Sequence, residues 1–392
     1  MATTAVVVDA IRSPMGKGKQ GGALSSIHPV ELLGQVLRTL MDRNPGVDPG
    51  EVDDVIAGCV NQVGQQAGPV GRWGWLAAGL PEHVPSVTVH RACGSSQQAV
   101  EFAAQGIIAG VSDVVVACGV ESMSRVPLWA SFGENQDPYG TQVQERYAPG
   151  LIPQGVSADL IAERWKLTRE DLDEYAARSH ARAATADFGR EIVPVTAADG
   201  TVVDTDETIR PSTTPETLAG LRTVFDTEEY RTRYPDLTWR ITAGNSSQIT
   251  DGAAALLLMS EERAAALGLT PRARVHTMAV AADDPITMLT GPIPATEKVL
   301  RRSGLGIEDL DHYEVNEAFA PVPLAWQAHF DADPAKLNPR GGAIALGHPL
   351  GASGARIMTT MLAALEDTGG RYALQTMCEA GGMANATILE RI

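Results

Sequence analysis

The stretch Thr88–Cys118, TVHRACGSSQQAVEFAAQGIIAGVSDVVVAC, decides the class of fold. Thr88 and Val89 close a strand, and Gly94, Ser95 and Ser96 suit a tight turn that opens a helix. Gln97 to Ile108 (QQAVEFAAQGII) predicts a buried helix, and Asp113 to Cys118 (DVVVAC) a buried strand. Upstream, Ala5 to Ala10 (AVVVDA) is a buried-strand run, Pro29 to Met41 (PVELLGQVLRTLM) has apolar residues at helical spacing, and Asp54 to Val60 (DVIAGCV) is another strand. Strands alternating with helices indicate an α/β class.

The last third repeats this order. Asp309-Leu310-Asp311 echoes Glu51-Val52-Asp53, and both introduce short apolar runs. His348-Pro349-Leu350-Gly351 opens the helical stretch Ala355 to Leu365 (ARIMTTMLAAL), and the strand Tyr372 to Met377 (YALQTM) follows, ending just before Cys378. Cys93 and His348 thus occupy corresponding turns of two similar halves, as a repeated supersecondary order would place them. Between the halves, from about Glu121 to Ile241, the pattern loosens into polar, Pro-containing stretches around one clear helix, Arg169 to Phe188. A long irregular insertion of this kind is usually functional.

Composition bounds the rest. A chain of 392 residues exceeds what one hydrophobic core supports, so two core-bearing domains are expected. The net charge of -17 argues against nucleic acid or an anionic membrane as the main partner, while leaving room for an anionic small ligand at a local basic patch. Met1 to Asp9 lacks a basic n-region, and no apolar run approaches the roughly 18 residues of a membrane span, so the cytoplasm is the expected compartment. Gly16-Lys17-Gly18-Lys19-Gln20-Gly21 imitates a dinucleotide fingerprint. Four residues, Ile11-Arg12-Ser13-Pro14, separate it from the strand, and no helix begins at its last glycine, so nicotinamide binding is not expected.

Four cysteines, Cys59, Cys93, Cys118 and Cys378, are too sparse for a disulfide framework and lack the paired spacing of a zinc site, so no metal is expected. Cys59 and Cys118 sit in strand runs and suit the role of small buried apolar residues. Cys93 sits before a helix N-terminus, where the dipole and free N–H groups would lower a thiol pKa and form an oxyanion hole. Taken alone, its surroundings leave nucleophile and structural cysteine open. His348 lies in the glycine-dense Gly341 to Gly351 run, where backbone can approach a ligand and a histidine can serve as base or oxyanion donor. Cys378, expected just past its strand, precedes Glu379-Ala380-Gly381-Gly382. Two thiols and a histidine suggest acyl-thioester chemistry with separate nucleophile and acid/base roles.

Cys93-Gly94-Ser95, Glu121-Ser122-Met123-Ser124-Arg125, Ala243-Gly244-Asn245-Ser246-Ser247, Asp251-Gly252-Ala253, Asn316-Glu317-Ala318-Phe319, Gly347-His348-Pro349-Leu350-Gly351 and Cys378-Glu379-Ala380-Gly381-Gly382 together resemble the thiolase family in order and spacing. The resemblance runs from Ala5 to Ile392 and is nearest to bacterial degradative thiolases of fatty-acid and steroid catabolism. It implies duplicated βαβαβαββ halves in a five-layer α-β-α-β-α sandwich with an inserted loop domain. Residues 1–120 and 242–270 would form the N-terminal half, 121–241 the loop domain covering CoA, and 271–392 the C-terminal half. It also implies a homo-oligomer, dimer or tetramer, with acyl-CoA and CoA as substrates and no permanently bound cofactor.

Carried over residue by residue, the resemblance makes Cys93 the nucleophile, His348 its activator and Cys378 the acid/base for the acetyl carbon and the incoming thiol. Asn316 would hold a water that, with His348, forms the oxyanion hole for the acetyl-CoA enolate. A second hole, for the acyl intermediate, would combine the backbone N–H groups of Cys93 and Ala380. Ser247 would lie near the pantetheine arm and Arg222 near the adenine. The implied reaction is CoA-dependent cleavage of a 3-ketoacyl-CoA by a ping-pong route. The alternatives are a biosynthetic acetoacetyl-CoA thiolase and a catalytically impaired carrier or scaffold of the same fold. A ketoacyl synthase would need a histidine where Asn316 stands.

The two opposed thiol tasks predict a lowered Cys93 pKa and a Cys378 nearer neutrality. Three departures from the family pattern bear on the site. Ala380 replaces the first glycine of a Gly-Gly-Gly run, which would reshape the second hole if that residue needs positive φ. Gln154 stands where a methionine is common beside the substrate. Asp226 to Arg240 is longer than in many relatives.

Overall fold

The computed structural model describes residues 3–133 and 137–392. Its main strands are β1 (Ala5–Arg12), β2 (Asp54–Gly58), β3 (Ser86–Val89), β4 (Val114–Ser122), β5 (Thr250–Ser260), β6 (Ala273–Ala282), β7 (His312–Val315), β8 (Tyr372–Glu379) and β9 (Met383–Arg391). The main helices are α1 (Pro29–Arg43), α2 (Val70–Ala77), α3 (Ser95–Ile108), α4 (Gln154–Arg164), α5 (Arg169–Thr185), α6 (Pro292–Ser303), α7 (Pro321–Phe330) and α8 (Ser353–Thr368).

The strands run in the order β7-β8-β9-β6-β1-β5-β4-β2-β3. The two halves join where Val6 and Val7 of β1 meet Arg274 and Ala273 of β6. On each side of that seam the pairing repeats. In the first half β2 and β4 are parallel, and β5 pairs antiparallel with β4 and β1. In the second, β7 and β8 are parallel, and β9 pairs antiparallel with β8 and β6. The sequence echo is thus a topological echo, with β3 as an extra edge strand of the first half.

The layers follow from strand alternation. In β4, Val114, Val116, Cys118 and Val120 face one core with α1 and α2 residues such as Leu33, Leu37 and Trp75, while Val115 and Ala117 face another with Ala99, Val100 and Ala103 of α3. That second core also holds Met358, Met361 and Leu362 of α8 with Ala373 of β8 and Leu389 of β9, so α3 and α8 lie between the two sheet halves. A third core joins the far face of the second half to Val299 of α6 and Trp326 of α7. The five layers α-β-α-β-α result. A strand buried on both faces must be apolar at every position, which is why VVVAC and AAALLLM show no polar alternation.

The segment between β4 and β5 is more regular than its sequence suggests. Besides α5 it holds α4 and the short helices Gly140–Arg146, Pro215–Ala219 and Glu228–Arg233. The composition hid α4, because its Gly155, Ser157 and Asp159 are buried polar or small residues that weaken a helical apolar stripe. Gly16 and Lys17 form a two-residue strand followed by turns, and no helix begins at Gly21. Among the described residues no helix is long and apolar enough to cross a membrane.

Candidate active site

The site collects at the carboxyl ends of the parallel strands, where open α/β sheets place their ligands. Cys93 follows β3 and immediately precedes α3, whose N-cap is Gly94. Ala92 before it has φ 43, a left-handed conformation that an alanine adopts only when its surroundings impose it. The turn is closed by Ser95, whose Oγ donates to the Ala92 carbonyl at 2.6 Å and accepts from the Arg91 N–H at 3.0 Å. Nothing in the letters Arg-Ala-Cys signals that strain.

Cys93 is 5% exposed and packs in one cluster with Leu350, Ile357 and Met377. These contacts tie the Cys93 turn to the loop of His348 and to the strand of Cys378. The α3–α8 packing explains the approach. A Cβ on Gly354 would lie 2.2 Å from the Gln97 backbone nitrogen, so only glycine lets α8 seat this closely, and Ser96 Oγ accepts from the Ala355 N–H at 2.8 Å. Glu121 fastens the same junction: its carboxylate accepts from the N–H groups of Val60 (2.9 Å), Asn61 (3.0 Å) and Gly351 (2.9 Å).

His348 is buried, and its N–H is held by Gln248 O at 3.0 Å. Its Nδ1 lies 2.6 Å from Ser353 Oγ, which also meets the Pro349 carbonyl at 3.1 Å. A carbonyl only accepts, so the hydrogen placement that satisfies both contacts puts the hydroxyl proton on Pro349 O and a proton on Nδ1. Nε2 is then a lone-pair acceptor, and it makes no hydrogen bond among the described residues. Asn316, just after β7, is anchored by its N–H to Thr376 O at 3.1 Å, while both side-chain amide atoms are buried without a hydrogen-bond partner among the described residues. Its neighbour Glu317 is locked by Tyr175, Ser179 and Asn338.

Cys378 lies within β8, one residue before its end, which corrects the expectation that it follows the strand. It is fully buried. Cys59 also departs from expectation by sitting one residue past β2, though buried as foreseen. Ala380 is absent from the residues with positive φ, whereas Gly381 and Gly382 both have φ 83. The left-handed requirement therefore falls on the two glycines, and alanine at 380 costs the turn nothing.

Burial overturns the expected thiol pKa pattern. Desolvation, reinforced by the nearby Glu379 carboxyl, pushes Cys93 up to about 12, and hydrogen bonding by its own backbone and by Gln154 does not offset it. Desolvation and the Cys93 charge hold Cys378 well above the ordinary thiol value. His348 is pushed down to about 3 by burial and then by the Arg356 charge. These directions leave Cys93 a neutral thiol and His348 a neutral imidazole, so burial outweighs the thiolate that the helix terminus alone would favour.

Two cavities meet at this point. One, about 220 Å³, is lined by Ser247, Phe319, Leu350, His348 and Gln154; the other, about 520 Å³, by Trp129, Phe132, Tyr230, Met288, Ala380 and again Gln154. Ser247 is fixed by its N–H on Ala318 O at 2.9 Å. Arg222 is exposed, two residues before Val224, which lines the smaller cavity. Sequence reading missed Ala92, Ser353 and Glu379. Of these, Ser353 had a signal, a hydroxyl at the first position of the helix after the histidine.

Comparison with known proteins agrees with this architecture. Residues 5–262 match the thiolase N-terminal domain and residues 269–391 the thiolase C-terminal domain. The chain is 50% identical over 401 residues to the steroid 3-ketoacyl-CoA thiolase FadA6 of Mycobacterium tuberculosis, covering 100% of this chain and 95% of that protein. It is 43% identical over 398 residues to a 3-ketoacyl-CoA thiolase of Aeromonas hydrophila, covering 99% of each. The crystal structure of the Bacillus anthracis acetyl-CoA acetyltransferase superposes with a TM-score of 0.88 at 38% identity, covering 100% of this chain and 99% of that one. With the two thiolase domain models matched over residues 5–262 and 269–391 and a relative 50% identical along the whole chain, this chain belongs to the thiolase family.

Proposed function

We propose that this thiolase uses CoA to cleave a 3-ketoacyl-CoA whose acyl group is bulky and ring-bearing, through an acyl intermediate on Cys93. His348 Nε2 takes the Cys93 proton as the sulfur attacks the 3-keto carbon. The tetrahedral oxyanion is held by the N–H groups of Cys93 and Ala380. The bond between C2 and C3 breaks, leaving the acyl group on Cys93 and the enolate of acetyl-CoA, which His348 and Asn316 stabilise. Cys378 protonates that enolate at C2, and acetyl-CoA leaves. The Cys378 thiolate then deprotonates incoming CoA, whose sulfur attacks the thioester and releases the shortened acyl-CoA, and Cys93 recovers its proton from His348. Each oxyanion donor is worth roughly 2.7 to 4 kcal/mol in a dry site of this kind.

The observation that carries the reading is the double lining by Gln154, which joins a narrow cavity holding Ser247 and His348 to a wider aromatic one beside Ala380. The narrow arm suits pantetheine. The wide arm, about 520 Å³ with Trp129, Phe132, Tyr139 and Tyr230, falls within the usual size of pockets that bury a large apolar ligand. The name of the steroid thiolase relative points the same way. Residues 1–120 and 242–270, 121–241 and 271–392 are the corresponding divisions, with the middle one covering CoA and Arg222 at the adenine end. A homodimer or dimer of dimers belongs to the same reading, supported by β3, which ends the sheet with Val87 exposed.

Steady-state cleavage of a fused-ring 3-ketoacyl-CoA against acetoacetyl-CoA tests the substrate class. We expect kcat/KM at least about tenfold higher for the ring-bearing thioester, the discrimination available from a well-filled apolar pocket. A preference for acetoacetyl-CoA would instead favour the short-chain biosynthetic alternative.

A further inference from the structure

Glu379 has no part in the mechanism above, yet it adjoins both thiols. It follows Cys378 on β8, is fully buried, and neither carboxyl oxygen makes a hydrogen bond among the described residues. Its Oε1 lies 2.1 Å from the point where a Cβ on Gly94 would stand, so the acid rests directly on the residue after Cys93. Asn385 Oδ1, on β9, lies 2.9 Å from the same point and is also a buried acceptor without a donor among the described residues, while Asn385 Nδ2 donates to the Gly94 carbonyl at 3.3 Å.

The charged neighbours do not favour a carboxylate. Arg91, from the β3–α3 turn, reaches Oε2 only at 4.0 Å and is partly solvated. Glu101 of α3 faces the same space and is itself buried, held by Thr387 Oγ1 at 2.9 Å. Cys93 and Cys378 are the other titratable groups that face it among the described residues. Two acids share one distant guanidinium in a dry layer, where an unpaired charge is costly. A proton on Glu379 removes that cost and supplies a donor for an acceptor that lacks one.

We propose that Glu379 is a positioning residue held as a neutral acid, which braces Asn385 and the Gly94 turn in the working state and weakens Cys93 as a nucleophile when it ionises. Burial, outweighing Arg91, raises Glu379 to about 9 and Glu101 to about 8. The sign follows. Below that range Cys93 faces a neutral acid; above it, a carboxylate opposes thiolate formation, so the reactivity of Cys93 climbs less steeply with pH than one titrating thiol requires.

The inference rests on Cys93 being the reactive thiol, and its test does not require turnover. Iodoacetamide alkylation of Cys93, followed by peptide mass in the full-length enzyme, is measured from pH 7 to 10. The wild type should show a slope that flattens near pH 9; a uniform slope overturns the proposal without any variant. In Glu379→Gln the ratio of rates at pH 10 and pH 7 should rise about fivefold over wild type, for a coupling near one pKa unit. Glu379→Asp, which keeps a titrating carboxyl, should retain the flattening. If Gln and Asp behave alike, packing sets the profile and the proposal fails. Failure of acyl-Cys93 to form from substrate would instead strike the functional reading and leave this profile standing.

Discussion

The two halves of the molecule share a strand order but carry unlike turns at the end of it. In the first, the chain passes from β3 through the left-handed Ala92 straight into α3, and Cys93 stands at the helix entrance. In the second no strand takes the place of β3. A single helical turn, Ala343–Leu346, leads to His348, which sits five residues before α8 and whose outer ring nitrogen makes no hydrogen bond among the described residues. The short connection gives a rigid thiol turn. The longer glycine-rich one gives room for an imidazole whose inner nitrogen meets Ser353. The packing of α3 on α8 at Gly354 brings these unlike turns together, and in the proposed mechanism that contrast separates nucleophile from base.

Substitutions can break or sharpen that contrast. His348→Ala should lower turnover by about 10⁴-fold and slow Cys93 alkylation as well, because the base serves the nucleophile directly; the two assays together check it. Cys378→Ala should lower turnover by about 10³-fold while leaving the alkylation rate of Cys93 near that of wild type, which would separate the acid/base thiol from the nucleophile. Equal losses in both assays would erase the division. Gly354→Ala forces a Cβ onto the Gln97 backbone and should reduce unfolding free energy by about 3 kcal/mol in denaturant titration.

Smaller effects test finer points. Ser353→Ala frees the imidazole tautomer and should cost about tenfold in kcat with little change in KM, the equivalent of one hydrogen bond of about 1.4 kcal/mol. Ala380→Gly should change kcat/KM by less than about twofold, because the left-handed conformation belongs to Gly381 and Gly382. A large gain on that substitution would mean that alanine does distort the acyl hole.

Much of this was legible in the sequence. The strand–turn–helix around Cys93, the echo that opens α8, and the long buried strands all follow from apolar patterning, which reports burial on both faces of a sheet. The ordered motifs also pointed to the family that the two domain matches show. What patterning does not carry is geometry imposed from outside the segment. Ala92 is held left-handed by Ser95 and its surroundings, and Glu379 is an ordinary surface residue until the β8–α3 contact encloses it. The thiol pKa expectation failed for the same reason: a helix terminus is local, whereas the desolvation that outweighs it depends on Leu350, Ile357 and Met377 from the other half. In the insertion, α4 was hidden because its buried face is small and polar.

The central claim is that Cys93, activated by the other half's histidine, carries the acyl group. Incubation with a fused-ring 3-ketoacyl-CoA in the absence of free CoA, quenched in acid and followed by peptide mass, measures it directly. The account predicts the acyl mass on the Cys93 peptide, its release on adding CoA, and none on the Cys378 peptide. Acyl mass on Cys378, or no adduct with this substrate or with acetoacetyl-CoA, would contradict it.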